Sequence, residues 1–256
     1  GHRVFNPPGE VKERTALLRA LYRGGLNPVE VSRLEDGEWP EHYPVFVRAE
    51  SGSEHAESGV LEDRAALEAH LSRHLARGLT LKGRIAVRIV AEPGGDGLFR
   101  KYGATRLGER IIGQHVMHAR DWFVKAETRV YGPEIDRSEV DYAREGGGEF
   151  DLMPFFEAAG IDYGRADFGI VDGRPVLYEI NPNPTFPVTD RRGVPVQARG
   201  VEFGRRFVEC VEALDLPRSE AGEIRFPPPP HPTHIQSRRW TRPFRRYWSR
   251  KARGRS

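Results

Sequence analysis

Cysteine is almost missing from this 256-residue chain, and its one copy, Cys210, excludes an intrachain disulfide. Cys210 falls in an apolar helical pattern, so it reads as buried and inert, which suits a reducing compartment. No run of about 18 apolar residues occurs, and a membrane-spanning helix is not expected. The polar start GHRVFNPPGE offers no signal peptide, so the cytoplasm is the expected location. An initiator Met is also missing, which suits a processed chain or a piece of something longer. Lysine is scarce: five of the forty basic residues are Lys. The chain otherwise chooses Arg, so each Lys is worth noting.

What remains is a soluble globular composition, 38% hydrophobic and 30% charged, long enough for one large or two modest domains. The net charge of +3 is unevenly spread. Residues 217–256 hold eleven Lys/Arg against two Asp/Glu, a balance of +9, which leaves −6 for residues 1–216. The basic character belongs to the tail, and whole-chain charge is a poor argument for nucleic-acid binding.

The stretch Tyr163 to Pro184, YGRADFGIVDGRPVLYEINPNP, carries the most information. Two alternating runs are joined by Asp-Gly, a hairpin signal. A two-residue loop sets Asp167 opposite Tyr178 and mismatches both faces. A three-residue loop (Asp172, Gly173, Arg174) sets Phe168 opposite Tyr178 and Ile170 opposite Val176. The same register sets Asp167 opposite Glu179 and Arg165 opposite Asn181. A one-residue slip flips every side chain, so the apolar pattern selects the three-residue loop. Two carboxylates, an amide and a guanidinium then share one face. Paired carboxylates repel unless a cation or a proton sits between them, and all-oxygen ligands suit Mg²⁺ or another hard cation.

Around this hairpin the pattern predicts helices over Val11–Tyr22, Leu61–Gly78, Glu149–Gly160 and Gly200–Leu214. It predicts strands at Pro44–Arg48 and Arg84–Val90, and a hairpin of Leu98–Leu107 with Arg110–His115. Lys12 lies in the first turn of the first helix, and Lys101 in the first strand of the second hairpin. The loop Ala49 to Gly59, AESGSEHAESG, is small and polar, the kind whose N–H groups approach phosphates. His70 with His74, and His115 with His118 and Asp121, admit a metal reading or an ordinary polar one. Pro133–Gly148 is charged, ends in three glycines and reads as a mobile lid-like loop. The tail from Pro217 interleaves Trp240, Phe244 and Trp248 with Arg. It reads as a disordered, solvated segment, with contact to a membrane surface, an acidic partner or nucleic acid as alternatives.

The pattern R-x-D-F…V-L-Y-E-I-N-P-N-P resembles the metal-binding part of ATP-grasp enzymes, which join a carboxylic acid to an amine through an acyl phosphate. The resemblance covers roughly Asn6 to Leu216, nearest the branch of glutathione synthetases and ribosomal-protein glutamate ligases. It implies an α+β ATP-grasp fold, two α+β subdomains (1–88 and 89–216) with nucleotide between them, followed by a basic tail (217–256). It implies ATP with Mg²⁺, or Mn²⁺, as cofactors. Asp167, Glu179 and Asn181 match the metal ligands, and Arg165 the Arg that steadies the oxyanion. Lys12, Arg48, Ser51, Gly52, Ser53 and Lys101 make up the implied ATP-binding set. Arg48 stands where the family has a second Lys, which changes donor geometry. The acidic residue near the adenine link is not clear around Val87 to Glu92. The family's N-terminal domain is absent from this sequence, so a partner domain or chain is expected to supply it unless the enzyme is minimal. The expected activity is an ATP-dependent carboxylate–amine or carboxylate–thiol ligase acting on a small-molecule or peptide carboxylate. Phosphoryl transfer to a hydroxyl or phosphate is an alternative. So is an inactive nucleotide-binding relic whose tail binds an acidic partner.

Overall fold

Two antiparallel sheets and five α-helices make up the described part of the chain, residues 5–7, 9–51, 56–184 and 198–214 of a computed structural model. The first sheet has the order β1-β3-β2, from Val31–Arg33, Arg84–Arg88 and Val45–Ala49. The second has the order β5-β4-β6-β7, from Arg110–Ala119, Phe99–Leu107, Tyr163–Val171 and Arg174–Asn181. The helices are α1 (Arg14–Arg23), α2 (Arg64–Ala76), α3 (Pro133–Glu145), α4 (Met153–Ala159) and α5 (Ala198–Glu212).

One apolar cluster joins both sheets, with Leu17, Leu18 and Leu21 of α1, Phe46, Ile85 and Val87 of the first sheet, and Ala166, Phe168 and Leu177 of the second. Cys210 is buried in a separate cluster with Leu107 and Phe203. The start of the chain is stitched to the hairpin strands over long sequence distances. Asn6 exchanges hydrogen bonds with Asp162 and Tyr163. The buried Asn27 side chain pairs with the Leu177 backbone through both its N–H and its C=O, at 3.0 and 2.9 Å. It thereby stands in for a neighbouring strand on the open edge of β7.

Besides a later start of α4, at Met153 rather than Glu149, and a longer β5, to Ala119 rather than His115, four expectations change. Helix α1 starts at Arg14, so Lys12 precedes it, with Glu13 at the cap. Helix α2 starts at Arg64 because Asp63 caps it, accepting from Ala66 N at 2.8 Å. Leu61 lies outside α2 and pairs with Val45, while Leu75 is exposed. The segment read as a lid, Pro133–Gly148, is helix α3 up to Glu145. Pro133 sits in its first turn with Glu134 and Asp136, as helix starts prefer. Its charges hid the helix because one of them faces inward. Glu139 is buried and ion-paired with Arg129 and Arg199.

The fourth change concerns the hairpin. Its loop has two residues, Asp172 and Gly173, both at positive φ (49° and 71°), and Val171 faces Arg174. That turn type suits a tight hairpin. Phe168 faces Leu177 and Gly169 faces Val176, one step away from the expected register. A bulge then shifts the pairing between Asp167 and Phe168, with Tyr178 as the extra residue. Beyond it Asp167 faces Glu179 and Arg165 faces Asn181, as expected. The turn chemistry and the polar face are both satisfied because the bulge absorbs the difference.

Candidate functional site: a cationic cavity between the sheets

A cavity opens beside β7, lined from both sheets and from the connecting segments. One part is apolar and aromatic. Phe46 packs on Trp122 and Phe123 at ring-centre distances of 4.9 and 5.9 Å, and Leu18, Val87 and Ile170 complete the wall. The other part is charged: Arg14, Arg48, Arg88, Arg100, Lys101 and Lys125 line it with Glu92, Asp167 and Glu179, and since Arg100 is paired with Asp96 outside the lining, a surplus of two positive charges remains.

The charged part is assembled from distant segments. Asp167 is buried, 3% exposed. It accepts from Arg165 Nε at 2.7 Å and lies 3.6 Å from the Lys101 ammonium. Glu179 is ion-paired with Arg14 of α1. Arg48, at the end of β2, is partly buried, and its guanidinium is held below its usual pKa by burial, with Arg14 adding to the shift. Burial also lowers Lys125, helped by Lys101 and opposed by Glu179. Lys125 lies over the Phe123 ring, 5.2 Å from its centre, where the aromatic and charged parts meet.

Of the residues expected from sequence, the structure brings together Arg48, Lys101, Asp167 and Glu179 on the cavity wall. Arg165 and Asn181 stand two residues further along the ladder, on the same face, and the Asn181 amide oxygen accepts from Asn183 N at 2.8 Å. Lys12 is turned elsewhere. Its ammonium donates to Ala158 O at 2.6 Å and its backbone N–H to Ala159 O at 2.9 Å, at the end of α4. Ser51 is exposed and does not line the cavity. Gly52 and Ser53, like the tail 217–256, lie outside the described residues. Arg14 and Lys125 were not read from sequence. Lys125 follows the apolar trio Trp122–Phe123–Val124 in a chain that rarely uses Lys, which is the signal that could have found it.

The oxygen donors Asp167, Glu179 and Asn181 share one face, a set that fits a hard cation. Their surroundings set a condition on that fit. Both carboxylates already face cations, and the positive surplus repels a bare divalent ion while it attracts a polyanion. The set therefore fits a metal that arrives with phosphates. Among the described residues no group of three or more His, Cys, Asp or Glu is placed to hold a metal. The His readings change accordingly. The His74 ring nitrogen lies 3.2 Å from Thr80 O, and burial lowers the pKa of His70. His115 and His118 are both buried, with pKa values lowered by burial first, and Asp121 is exposed.

His115 belongs to the site in another way. Across the second sheet His115, Gly103, Asp167 and Glu179 form one row in register. A Cβ on Gly103 would collide with the His115 ring, so the imidazole lies over the glycine on the same face as Asp167. Among the described residues, its Nε2 has no hydrogen-bond partner.

No protein-family model matches the chain, and no curated protein matches it. Among solved structures it is similar to a D-alanine–D-alanine ligase from Bacillus anthracis, at 15% identity and a TM-score of 0.44, over 78% of this chain and 66% of that one. It is similar to an L-amino acid ligase from Bacillus licheniformis at 15% identity and a TM-score of 0.39, over 67% and 40%. A RimK domain protein of ATP-grasp type from Sphaerobacter thermophilus gives 14% and 0.36, over 76% and 66%. The chain spans no more than 66% of the length of these three proteins.

Proposed function

We propose that this chain binds ATP together with Mg²⁺ and uses it to join a carboxylic acid to an amine through an acyl phosphate. One observation carries the reading. A single cavity continues from an aromatic wall, suited to a flat base, into a cluster of cations around two facing carboxylates, suited to a metal-bound triphosphate. The motif reading of the same hairpin points the same way, and it supplies the carboxylate and the amine as substrates.

In this reading Phe46, Trp122 and Phe123 take the base. Arg48, Lys101 and Lys125 hold the phosphates, while Arg14 exchanges its bond to Glu179 for one to a phosphate oxygen. Asp167, Glu179 and Asn181 hold the metal, which offsets phosphate repulsion when bound. The substrate carboxylate attacks the terminal phosphorus in line, and ADP leaves. An amine then displaces phosphate from the acyl phosphate and loses its proton as the amide forms. Arg165, which reaches this face beside Asp167, would donate to the oxyanion formed in that step.

A thermal-shift series tests this. Ligand at 100 times its Kd adds about 2.7 kcal/mol of stability, so ATP with Mg²⁺ raises the melting temperature while Mg²⁺ alone does not. Turnover releases ADP with an amide. A phosphorylated alcohol or phosphate product overturns the ligase assignment, and no shift with Mg-ATP overturns the site.

A further inference from the structure

Tyr178 is the extra residue of the β6–β7 bulge, and the bulge changes what β7 can present. In an unbroken strand consecutive side chains point to opposite faces. Here Tyr178 and Glu179, neighbours in sequence, both line the cavity. Glu179 goes to the cations, pairing with Arg14. Tyr178 goes the other way, and its hydroxyl donates to Val90 O at 3.2 Å. Gly169 makes room for it, since a Cβ there would collide with the phenol oxygen. The ring is partly buried, and burial pushes the phenol up to about 12, so it stays a donor at any physiological pH.

Val90 belongs to the segment that links β3 to β4, and Ile89, Val90, Ala91 and Glu92 all line the cavity. A second tie fixes the same segment, with Asp172 N donating to Glu92 Oε1 at 2.9 Å. The link between the sheets is thus fastened to the hairpin at both Val90 and Glu92. A peptide edge held beside an aromatic wall can read the polar rim of a flat base, provided its carbonyls and N–H groups keep their directions.

We infer that Tyr178 is a positioning residue for the nucleotide base: it fixes the Val90 peptide against which the base is read, and ties that peptide to the strand that carries Glu179. The inference rests on the nucleotide reading of the cavity. It goes further by assigning base recognition to a tyrosine that no phosphate or metal would touch.

The test compares ATP, GTP and tripolyphosphate binding by calorimetry, with Mg²⁺, in the full chain and in Tyr178→Phe. The single lost hydrogen bond is expected to weaken ATP about fivefold. It should narrow the ATP/GTP ratio and leave tripolyphosphate affinity unchanged, while the ligand-free melting temperature falls slightly for the lost bond. In turnover the KM for ATP rises while kcat holds. Gly169→Ala displaces the hydroxyl from the other strand; it lowers the melting temperature by overpacking, but should give the same binding pattern if Tyr178→Phe repacks. Unchanged ATP affinity in both variants overturns the inference, as does an equal loss for tripolyphosphate, which marks a merely structural role. A wild-type chain that binds tripolyphosphate as tightly as ATP removes the base pocket and the inference with it. A wild-type chain that binds neither overturns the nucleotide reading itself.

Discussion

Asp167 and Glu179 face each other across the β6–β7 ladder, and each is held by cations from elsewhere in the chain. Arg165 and Lys101 hold Asp167, and Arg14 holds Glu179. Asn and Gln keep the shape of the carboxylates and remove the charge, while Ala at position 165 removes the guanidinium altogether. Asp167→Asn, Glu179→Gln and Arg165→Ala are each expected to fold and to lose about 10²–10³ in turnover, the usual effect of removing one such group. Steady-state kinetics with circular dichroism checks this, and near-normal turnover in any of the three sinks that residue's role.

Glu139 predicts a contrast in stability. Its side chain and that of Arg129 are 3% and 6% exposed, whereas Glu209 and Arg205 form an exposed pair on α5. Removing one partner of a buried pair strands the other, so Glu139→Ala should cost about 3–5 kcal/mol. Glu209→Ala should cost less than about 1 kcal/mol. Urea midpoints at constant slope measure both.

Gly103 predicts a coupling. An added methyl meets the His115 ring, and overpacking of this kind costs about 1–3 kcal/mol. Gly103→Ala should therefore destabilise the chain, and much of the loss should vanish when His115→Ala is added. A double-mutant cycle reads the interaction directly. Additive effects would show that the ring does not sit over the glycine.

His115 also predicts a pH dependence. Burial, then the charge of Arg165 and its neighbours, holds its pKa well below 6.5. Above pH 6.5 the imidazole is neutral in both folded and unfolded chains. Below it, the unfolded chain takes a proton that the folded chain refuses, so stability falls as pH falls, by up to about 1.36 kcal/mol per pH unit for one such group. His118 and His70 shift in the same direction. Melting temperature should drop between pH 7.5 and 5.5, and His115→Asn should flatten the slope. An unchanged slope counts against a neutral, buried His115.

The hairpin was legible because alternation and turn chemistry are local, and both survive in the fold. Its register was legible at Arg165 and Asp167 for an incomplete reason: a bulge, not a longer loop, reconciles the two faces. A bulge leaves no residue signature of its own, and Tyr178 reads as one more apolar strand residue. Helix α3 was missed because an inward Glu139 breaks the apolar stripe that marks a helix, and its partners Arg129 and Arg199 lie ten and sixty residues away. Arg14 was missed for a similar reason, because its partner Glu179 is 165 residues distant. Lys12 was read as part of a helix's first turn, but the helix begins two residues later, at Arg14, and the side chain turns to Ala158.

The long stitches have a consequence for the order in which the chain is built. Asn27 reaches Leu177 and Arg14 reaches Glu179 over separations of 150 and 165 residues. During synthesis, at about 5–20 residues per second, the early segment waits roughly ten to thirty seconds for the strand it will meet. Local elements such as α2 and the β4–β5 hairpin can form meanwhile. The cavity cannot, because one of its walls has not yet been made. Until β7 emerges, Asn27 lacks the Leu177 backbone and Arg14 lacks Glu179, and the nascent protein is a partial scaffold whose cavity is still open on that side.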